Sequence, residues 1–190
     1  MNAFTPLPLE ANPLVADAAT FRSAMRQLAG GVSVITAGIG EDRTGLTATS
    51  PVSLSVDPPT MLVAVNRSAS ALPVIAAYRH FAVNLLAADQ QHVAENFAGK
   101  DGLKGPRRYR DAEWTTLATC APILDGALAA IDCELEELIE RHSHTIVIGR
   151  VAALRVGEGK ANALAYWRGG YERLGTVPAE ISLSAGLAAY

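Results

Sequence analysis

Apolar residues first recur at helical spacing. Phe21, Met25 and Leu28 fall at i, i+4 and i+7, which predicts a helix with Thr20 as its N-cap and Gly30-Gly31 as its end. The period then drops to two. Residues 32–36 (Val-Ser-Val-Ile-Thr) and 45–50 (Gly-Leu-Thr-Ala-Thr-Ser), joined by a turn at residues 38–42, predict a hairpin. Residues 60–65, entered through Asp57-Pro58-Pro59, and residues 81–86 predict a third and a fourth strand. A short helix from near Ser70 would bury Leu72, Ile75 and Tyr78, with Pro73 tolerated in its first turn. Another, about residues 90–97, would be capped by Asp89 and carry Val93 and Phe97 on one face. The charged stretch 99–111 reads as a mobile loop.

The second half returns to alternation. Residues 131–136 alternate apolar and acidic side chains, as in a half-exposed strand. Residues 137–140 carry the helix formers Glu and Leu, yet they extend the strand, because residues 145–151 supply its natural partner. Residues 171–174 would close the sheet. At least six short strands with few helices predict a mainly β, antiparallel barrel with a few short flanking helices. Residues 1–17, with Pro6, Pro8 and Pro13, read as an extended arm, residues 18–175 as one domain, and residues 176–190 as a tail.

Composition excludes several classes. The chain has 190 residues, 49% hydrophobic and 18% charged, which rules out a wholly disordered, collagen-like or coiled-coil protein. With Lys+Arg 16 against Asp+Glu 19, the net charge of −3 gives no basis for general nucleic-acid affinity. Cys120 and Cys133 show no zinc-ligand spacing, and the four histidines form no ligand set, so no metal is expected. The N-terminal residues lack a signal-peptide pattern, and no run of about 18 apolar residues predicts a membrane span. A cytoplasmic location is expected.

Dinucleotide and P-loop glycine motifs are missing, as are H-E-x-x-H and G-x-S-x-G. Two polar clusters remain. Thr47, Thr49, Ser50, Ser53 and Ser55 place five hydroxyls within nine residues, interrupted by Pro51. They either satisfy turns or, with freed backbone N–H groups, meet a polar ligand. Asn66, Arg67, Ser68 and Ser70 precede a helix; they form either an N-cap with a solvated arginine or a phosphate site. A polar loop and an anion site on successive strands fit a ligand with a heteroaromatic head and a phosphate, such as a flavin nucleotide. His144 opens the strand 145–151, and the aromatic segment 166–171 contains Arg168, Gly169, Gly170 and Tyr171.

The ordered series Gly30-Gly31-Val32-Ser33-Val34-Ile35-Thr36, Gly45-Leu46-Thr47-Ala48-Thr49-Ser50, Ser53-Leu54-Ser55-Val56-Asp57-Pro58-Pro59 resembles the short flavin reductases. These are the reductase components of two-component flavin-dependent monooxygenases. The resemblance continues through Phe81-Ala82-Val83-Asn84-Leu85-Leu86, Ala94-Glu95-Asn96-Phe97-Ala98, Ala121-Pro122-Ile123-Leu124-Asp125-Gly126-Ala127, His144-Thr145-Ile146-Val147-Ile148-Gly149-Arg150-Val151 and Arg168-Gly169-Gly170-Tyr171, covering about residues 20–175. Pro51 departs from it, standing where the family has an aromatic or small residue.

The resemblance implies an FMN-binding split β-barrel, usually a homodimer with flavin near the subunit boundary. It implies hydride transfer from NADH or NADPH to FMN or FAD, with reduced flavin diffusing to a separate oxygenase. Carried over by position, Thr47, Ala48, Thr49, Ser50 and Ser53 would line the flavin ring and ribityl chain. Asn66, Arg67, Ser68 and Ser70 would hold its phosphate, and Phe97 and Lys100 would stand near its outer part. His144 would position the nicotinamide nucleotide, with Arg168, Gly170 and Tyr171 beside it. A non-enzymatic flavin-binding electron carrier or sensor, and a pyridoxamine-phosphate-oxidase-like enzyme, are the alternatives on the same barrel.

Overall fold

The computed structural model describes residues 17–158 and 161–175. The expected arm (save Asp17) and tail lie outside the described residues. Helix α1 (Ala18–Met25) is capped by Asp17, not Thr20. The Asp17 carboxylate accepts from the backbone N–H of Ala19 at 2.7 Å and of Thr20 at 2.9 Å. The Thr20 hydroxyl donates to the same carboxylate at 2.7 Å. The apolar stripe of α1 has helical spacing but is not buried: Phe21 is 57%, Met25 47% and Leu28 69% exposed.

Strands β1 (Gly30–Gly31), β2 (Ser33–Ala37), β3 (Thr44–Ala48), β4 (Val52–Val56), β5 (Pro59–Asn66) and β6 (His80–Leu85) form the first half. The second half contributes β7 (Trp114–Thr116), β8 (Pro122–Leu124), β9 (Ala129–Arg141), β10 (His144–Val156), β11 (Ala163–Trp167) and β12 (Gly170–Leu174). Helices α2 (Ala71–Tyr78) and α3 (Gln91–Phe97) lie between them. The main sheet has seven strands in the order β3-β2-β6-β9-β10-β5-β4, with every pairing antiparallel. The hairpin of β2 and β3 pairs Ser33 with Ala48 and Ala37 with Thr44. Residues 137–140 are strand, inside β9.

Further expectations change. The stretch β4 is a strand, although its hydroxyls suggest a loop; Val52, Leu54 and Val56 alternate with Ser53 and Ser55. Residues 171–174 do not close the main sheet but pair with β11 in a separate three-stranded sheet, β1-β11-β12. Asp89 makes no side-chain cap to α3; Gln90 instead accepts from the Ala87 N–H at 3.0 Å. Residues 99–111 are pinned. Arg108 donates to the carbonyls of Gly45 (2.5 Å), Phe97 (2.8 Å) and Leu103 (3.1 Å), and the Tyr109 hydroxyl donates to Thr44 O at 2.6 Å.

Strand β2 is buried along its whole length because its alternate residues feed two cores. Ile35 and Ala37 join Val63, Val65, Ile75, Phe81, Leu135 and Val147, whereas Val34 joins Leu86, Val93, Phe97 and Leu164. Strands β3 and β4 are the two edges of the main sheet. They are consecutive in the chain, and Ser50 at the corner between them donates its hydroxyl to Ala64 O at 3.0 Å. No ladder joins them among the described residues, so the sheet is open and mainly antiparallel rather than a closed barrel.

Candidate functional site

Among the described residues β3 pairs only with β2, so its outer edge presents unpaired ladder positions near Thr47, Ala48 and Thr49. Opposite this edge stands the small sheet. Tyr166 and Tyr171 are directly paired across β11 and β12, with ring centroids 5.3 Å apart at 68°. Thr47, Ala48 and Thr49, together with Val32, Ala98 and the two tyrosines, enclose a cleft of about 260 Å³. Thr47 donates its hydroxyl to Ala94 O at 2.6 Å, so toward a ligand it is an acceptor. The Thr49 side chain has no hydrogen-bond partner among the described residues. Gly30 explains how Thr49 reaches this position: a Cβ on Gly30 would lie 2.9 Å from Thr49 Cβ.

Burial raises the pKa of Tyr171, and the negative charge of Glu95 adds to it, so its phenol stays a neutral donor around pH 7. Lys100 stands nearby, paired with Glu95 at 2.5 Å, and that bond holds the Glu95 carboxyl below its usual range. Phe97 is in the core at 1% exposure, packed edge-on against Tyr109 at 4.9 Å. Its neighbour Ala98, not Phe97, reaches the cleft.

The remaining expected site residues gather elsewhere. Strand pairing sets His144 opposite Asn66, and the Ser143 hydroxyl lies 2.9 Å from His144 Nδ1. Asn66 Oδ1 accepts from the Ser68 N–H at 2.9 Å and the Ser68 hydroxyl at 2.8 Å, closing a tight turn. Arg67 reaches Glu140 at 3.2 Å and is exposed. Ser70 begins α2 without capping it through its side chain, and its hydroxyl is 3.5 Å from that of Thr44. Ser53 is exposed on the edge strand β4, and Ser50 is committed to Ala64. Thus Thr47, Ala48, Thr49 and Tyr171 come together in the cleft, while His144 joins Asn66, Arg67 and Ser68.

Arg168 and Gly170 frame the β11–β12 turn. Arg168 has φ 51°, and its guanidinium lies 4.4 Å over the Trp167 ring. Sequence reasoning missed Val32, Ala98, Arg22 and Arg26. The i, i+4 spacing of the two arginines on α1 was the available signal, but their neighbours lie about 140 residues away.

Residues 25–175 match the family model described as flavin reductase-like domain. The chain belongs to the flavin reductase-like family. A curated relative in Acinetobacter baylyi, FMN reductase (NADH) RutF, is 37% identical over 155 residues, covering 82% of this chain and 81% of that protein. Among solved structures of flavin reductases, BorF, the flavin reductase component of a bacterial two-component tryptophan halogenase, superposes with TM-score 0.77 at 33% identity. The match covers 85% of this chain and 100% of BorF. The NADH:FAD oxidoreductase SgcE6 of Streptomyces globisporus gives TM-score 0.76 at 29% identity, covering 90% of this chain and 100% of that one.

Proposed function

We propose that this flavin reductase-like chain reduces FMN or FAD with NADH or NADPH and supplies reduced flavin to a separate oxygenase. The observation that carries this reading is the cleft between the free edge of β3 and the Tyr166–Tyr171 pair. Its aromatic and alanine walls suit a flat heteroaromatic ring, and hydroxyls and unpaired backbone groups line one side. The names of the relatives, NADH-dependent reductases of FMN and of FAD, support the same assignment.

Among the described residues the cleft lining contains no carboxylate and no imidazole. That suits hydride transfer between two stacked rings, where the protein supplies alignment rather than a proton relay. A bound flavin would supply the hydride acceptor. Thr47, Ala48, Thr49 and Ser50, with Ser53, would line the ring and ribityl chain. Asn66, Arg67, Ser68 and Ser70 would take the flavin phosphate at the N-terminus of α2, where the helix dipole favours an anion. Lys100 would stand at the rim with Tyr171, and Phe97 would support the wall from behind. His144 would position the nicotinamide nucleotide, with Arg168 and Gly170 flanking it.

Three finer readings accompany this one. The sheet is rolled as a split barrel, an assignment supported by Ile35 of β2 and Val63 of β5, four places apart in strand order, sharing one core. The chain is a homodimer, supported by Val52, Leu54 and Val56 exposed along an edge strand, with Leu154 and Val156 exposed on β10. It works in the cytoplasm; no helix among the described residues is long and apolar enough to cross a membrane.

Purified chain mixed anaerobically with NADH and FMN, then with FAD, tests the assignment through loss of reduced-nicotinamide absorbance. A chain that binds no flavin and oxidises no NADH refutes it. His144→Ala should raise the NADH concentration needed for half-maximal reduction while flavin affinity holds; an unchanged saturation curve removes His144 from the site.

A further inference from the structure

We propose that Arg22, Arg26 and Arg168 form a phosphate-binding shelf that takes the phosphates of the nicotinamide nucleotide, an inference that rests on the flavin reductase reading above. The three arginines line a trough of about 390 Å³ beside the aromatic cleft, with Met25 and Leu28 among its other walls. Thr49 and Tyr166 line both, so the two spaces adjoin. One end is flat and aromatic, and the other is cationic. A nucleotide has that same division, a planar base joined to phosphate esters.

Among the described residues no carboxylate neutralises these cations. Arg26 Nη2 donates to Arg168 O at 2.6 Å, and Arg168 Nε donates to Gln27 Oε1 at 3.0 Å; both acceptors are neutral. Arg67, Lys100, Arg110, Arg150 and Arg155 each have an acidic partner, whereas Arg79 and Arg108, which also lack one among the described residues, direct their guanidinium groups to main-chain carbonyls. Among the described residues Arg22, Arg26 and Arg168 have none. Arg22, in the last turn of α1, and Arg26, which caps its C-terminal end, are four residues apart, so their charges repel, and an anion between them relieves that repulsion. Each guanidinium has five N–H donors, so most remain free for phosphate oxygens.

The shelf is also held in place. Arg168 N–H donates to Arg26 O at 3.2 Å and Trp167 Nε1 donates to Gln27 O at 3.2 Å, latching the end of α1 to the β11–β12 turn. Since α1 buries no residue of its own, this polar latch is its main attachment to the described body. Gly169, with φ +97°, completes the fit, because a Cβ there would lie 2.8 Å from Arg26 Nη2. The flavin phosphate already has a site in the reading above, at Asn66, Arg67, Ser68 and Ser70. A second nucleotide needs a second anion site, and the shelf supplies it next to the ring stack.

The test uses the full chain with Arg22→Gln, Arg26→Gln and Arg26→Lys. ADP-ribose binding, read by calorimetry with FMN present, reports the phosphates without turnover; FMN and FAD affinities are read by flavin fluorescence, and KM for NADH and NADPH by steady-state reduction. Arg26→Gln should raise the ADP-ribose Kd and the NADH KM about ten-fold or more, with FMN affinity within about two-fold of wild type. Arg26→Lys should recover part of the loss, and added salt should weaken ADP-ribose binding less in the Gln variant than in wild type. Should Arg26→Gln not fold, Arg22→Gln carries the test, since the Arg22 guanidinium has no hydrogen-bond partner among the described residues. ADP-ribose affinity unchanged in the glutamine variants overturns the proposal. So does a loss confined to FMN or FAD, which would give the shelf to the flavin phosphate. A wild-type chain that binds ADP-ribose but reduces no flavin would instead refute the reductase reading alone.

Discussion

Adding one methyl group at Gly30 or at Gly31 should have opposite consequences, although the two residues are adjacent in β1. Neither has the positive φ that favours glycine, so backbone strain is not at issue. At Gly31 a Cβ meets nothing within 4 Å. Gly31→Ala therefore acts mainly by restricting the unfolded chain, a gain of about 0.4–1 kcal/mol, or about 1–4 °C in Tm for a chain of this size. At Gly30 the Cβ lies 2.9 Å from Thr49 Cβ, 3.5 Å from its Cγ2 and 3.6 Å from its carbonyl oxygen. Carbon atoms prefer about 3.5–4.0 Å, so the closest contact is too short by more than half an ångström. Strand β1 cannot retreat, because Gly30 pairs with Tyr166 and Val32 N–H donates to Leu164 O at 2.9 Å. Thr49 has to move. Overpacking of this kind costs about 1–3 kcal/mol, leaving a net loss on the order of 1–2 kcal/mol and about 2–8 °C in Tm. Because Thr49 borders both the aromatic cleft and the arginine trough, Gly30→Ala should also weaken FMN binding several-fold, whereas Gly31→Ala should not. Scanning calorimetry and fluorescence titration of FMN read the two effects. Equal Tm shifts at the two positions, or unchanged FMN affinity in Gly30→Ala, would refute the assignment of Thr49 to the cleft wall.

Other perturbations have equally definite signs. His80 is buried, accepts from the Gly38 N–H at 3.2 Å, and has its pKa held below the ordinary 6.5 chiefly by burial. The folded state thus binds a proton less readily than the unfolded chain. Stability from this group is present above about pH 6.5 and is lost as pH falls through the lower folded value; His80→Gln should flatten the fall of Tm with pH in that acid window. Arg108→Met deprives the carbonyls of Gly45, Phe97 and Leu103 of their donor. It should cost about 2–4 kcal/mol in urea unfolding and make Lys100, Lys104 and Arg107 accessible to limited trypsin digestion. Gly169→Ala, strained at φ +97° and crowded by Arg26, should lose about 1–2 kcal/mol of stability and weaken ADP-ribose binding without a matching change for FMN.

Much of the fold was legible because its strands write their periods locally. The hairpin of β2 and β3, strands β5 and β6, and the long pair β9–β10 all follow from β-branched runs and alternation. The errors have physical causes. Strand β4 escaped notice because its polar face is serine, a residue equally at home in turns, and because its apolar face is exposed. Strand β11 escaped because its aromatics and the glycine pair after it look like a loop. The stretch 99–111 read as mobile from its charge, yet Arg108 is half-buried and spends its guanidinium on three main-chain carbonyls. Charge marks exposure only where the polar group lacks a local partner, and Gly45 is 63 residues away.

The site shows the same division between local and distant information. Hydroxyls at Thr47 and Thr49 are visible in the sequence, but the wall they face is supplied by Tyr166 and Tyr171 from the far end of the chain. Strand pairing also separates residues that the sequence placed in one pocket. His144 stands opposite Asn66, at the end of β5, whereas Tyr171 and Arg168 stand at the cleft and trough. At the Thr49–Ser50 corner, Thr49 lines the cleft and Ser50 is tied to Ala64, two residues before Asn66. The corner between the two edge strands therefore joins the cleft wall at Thr49 to the strand end where His144 stands. That position follows from topology: it is where the open sheet turns from one edge to the other.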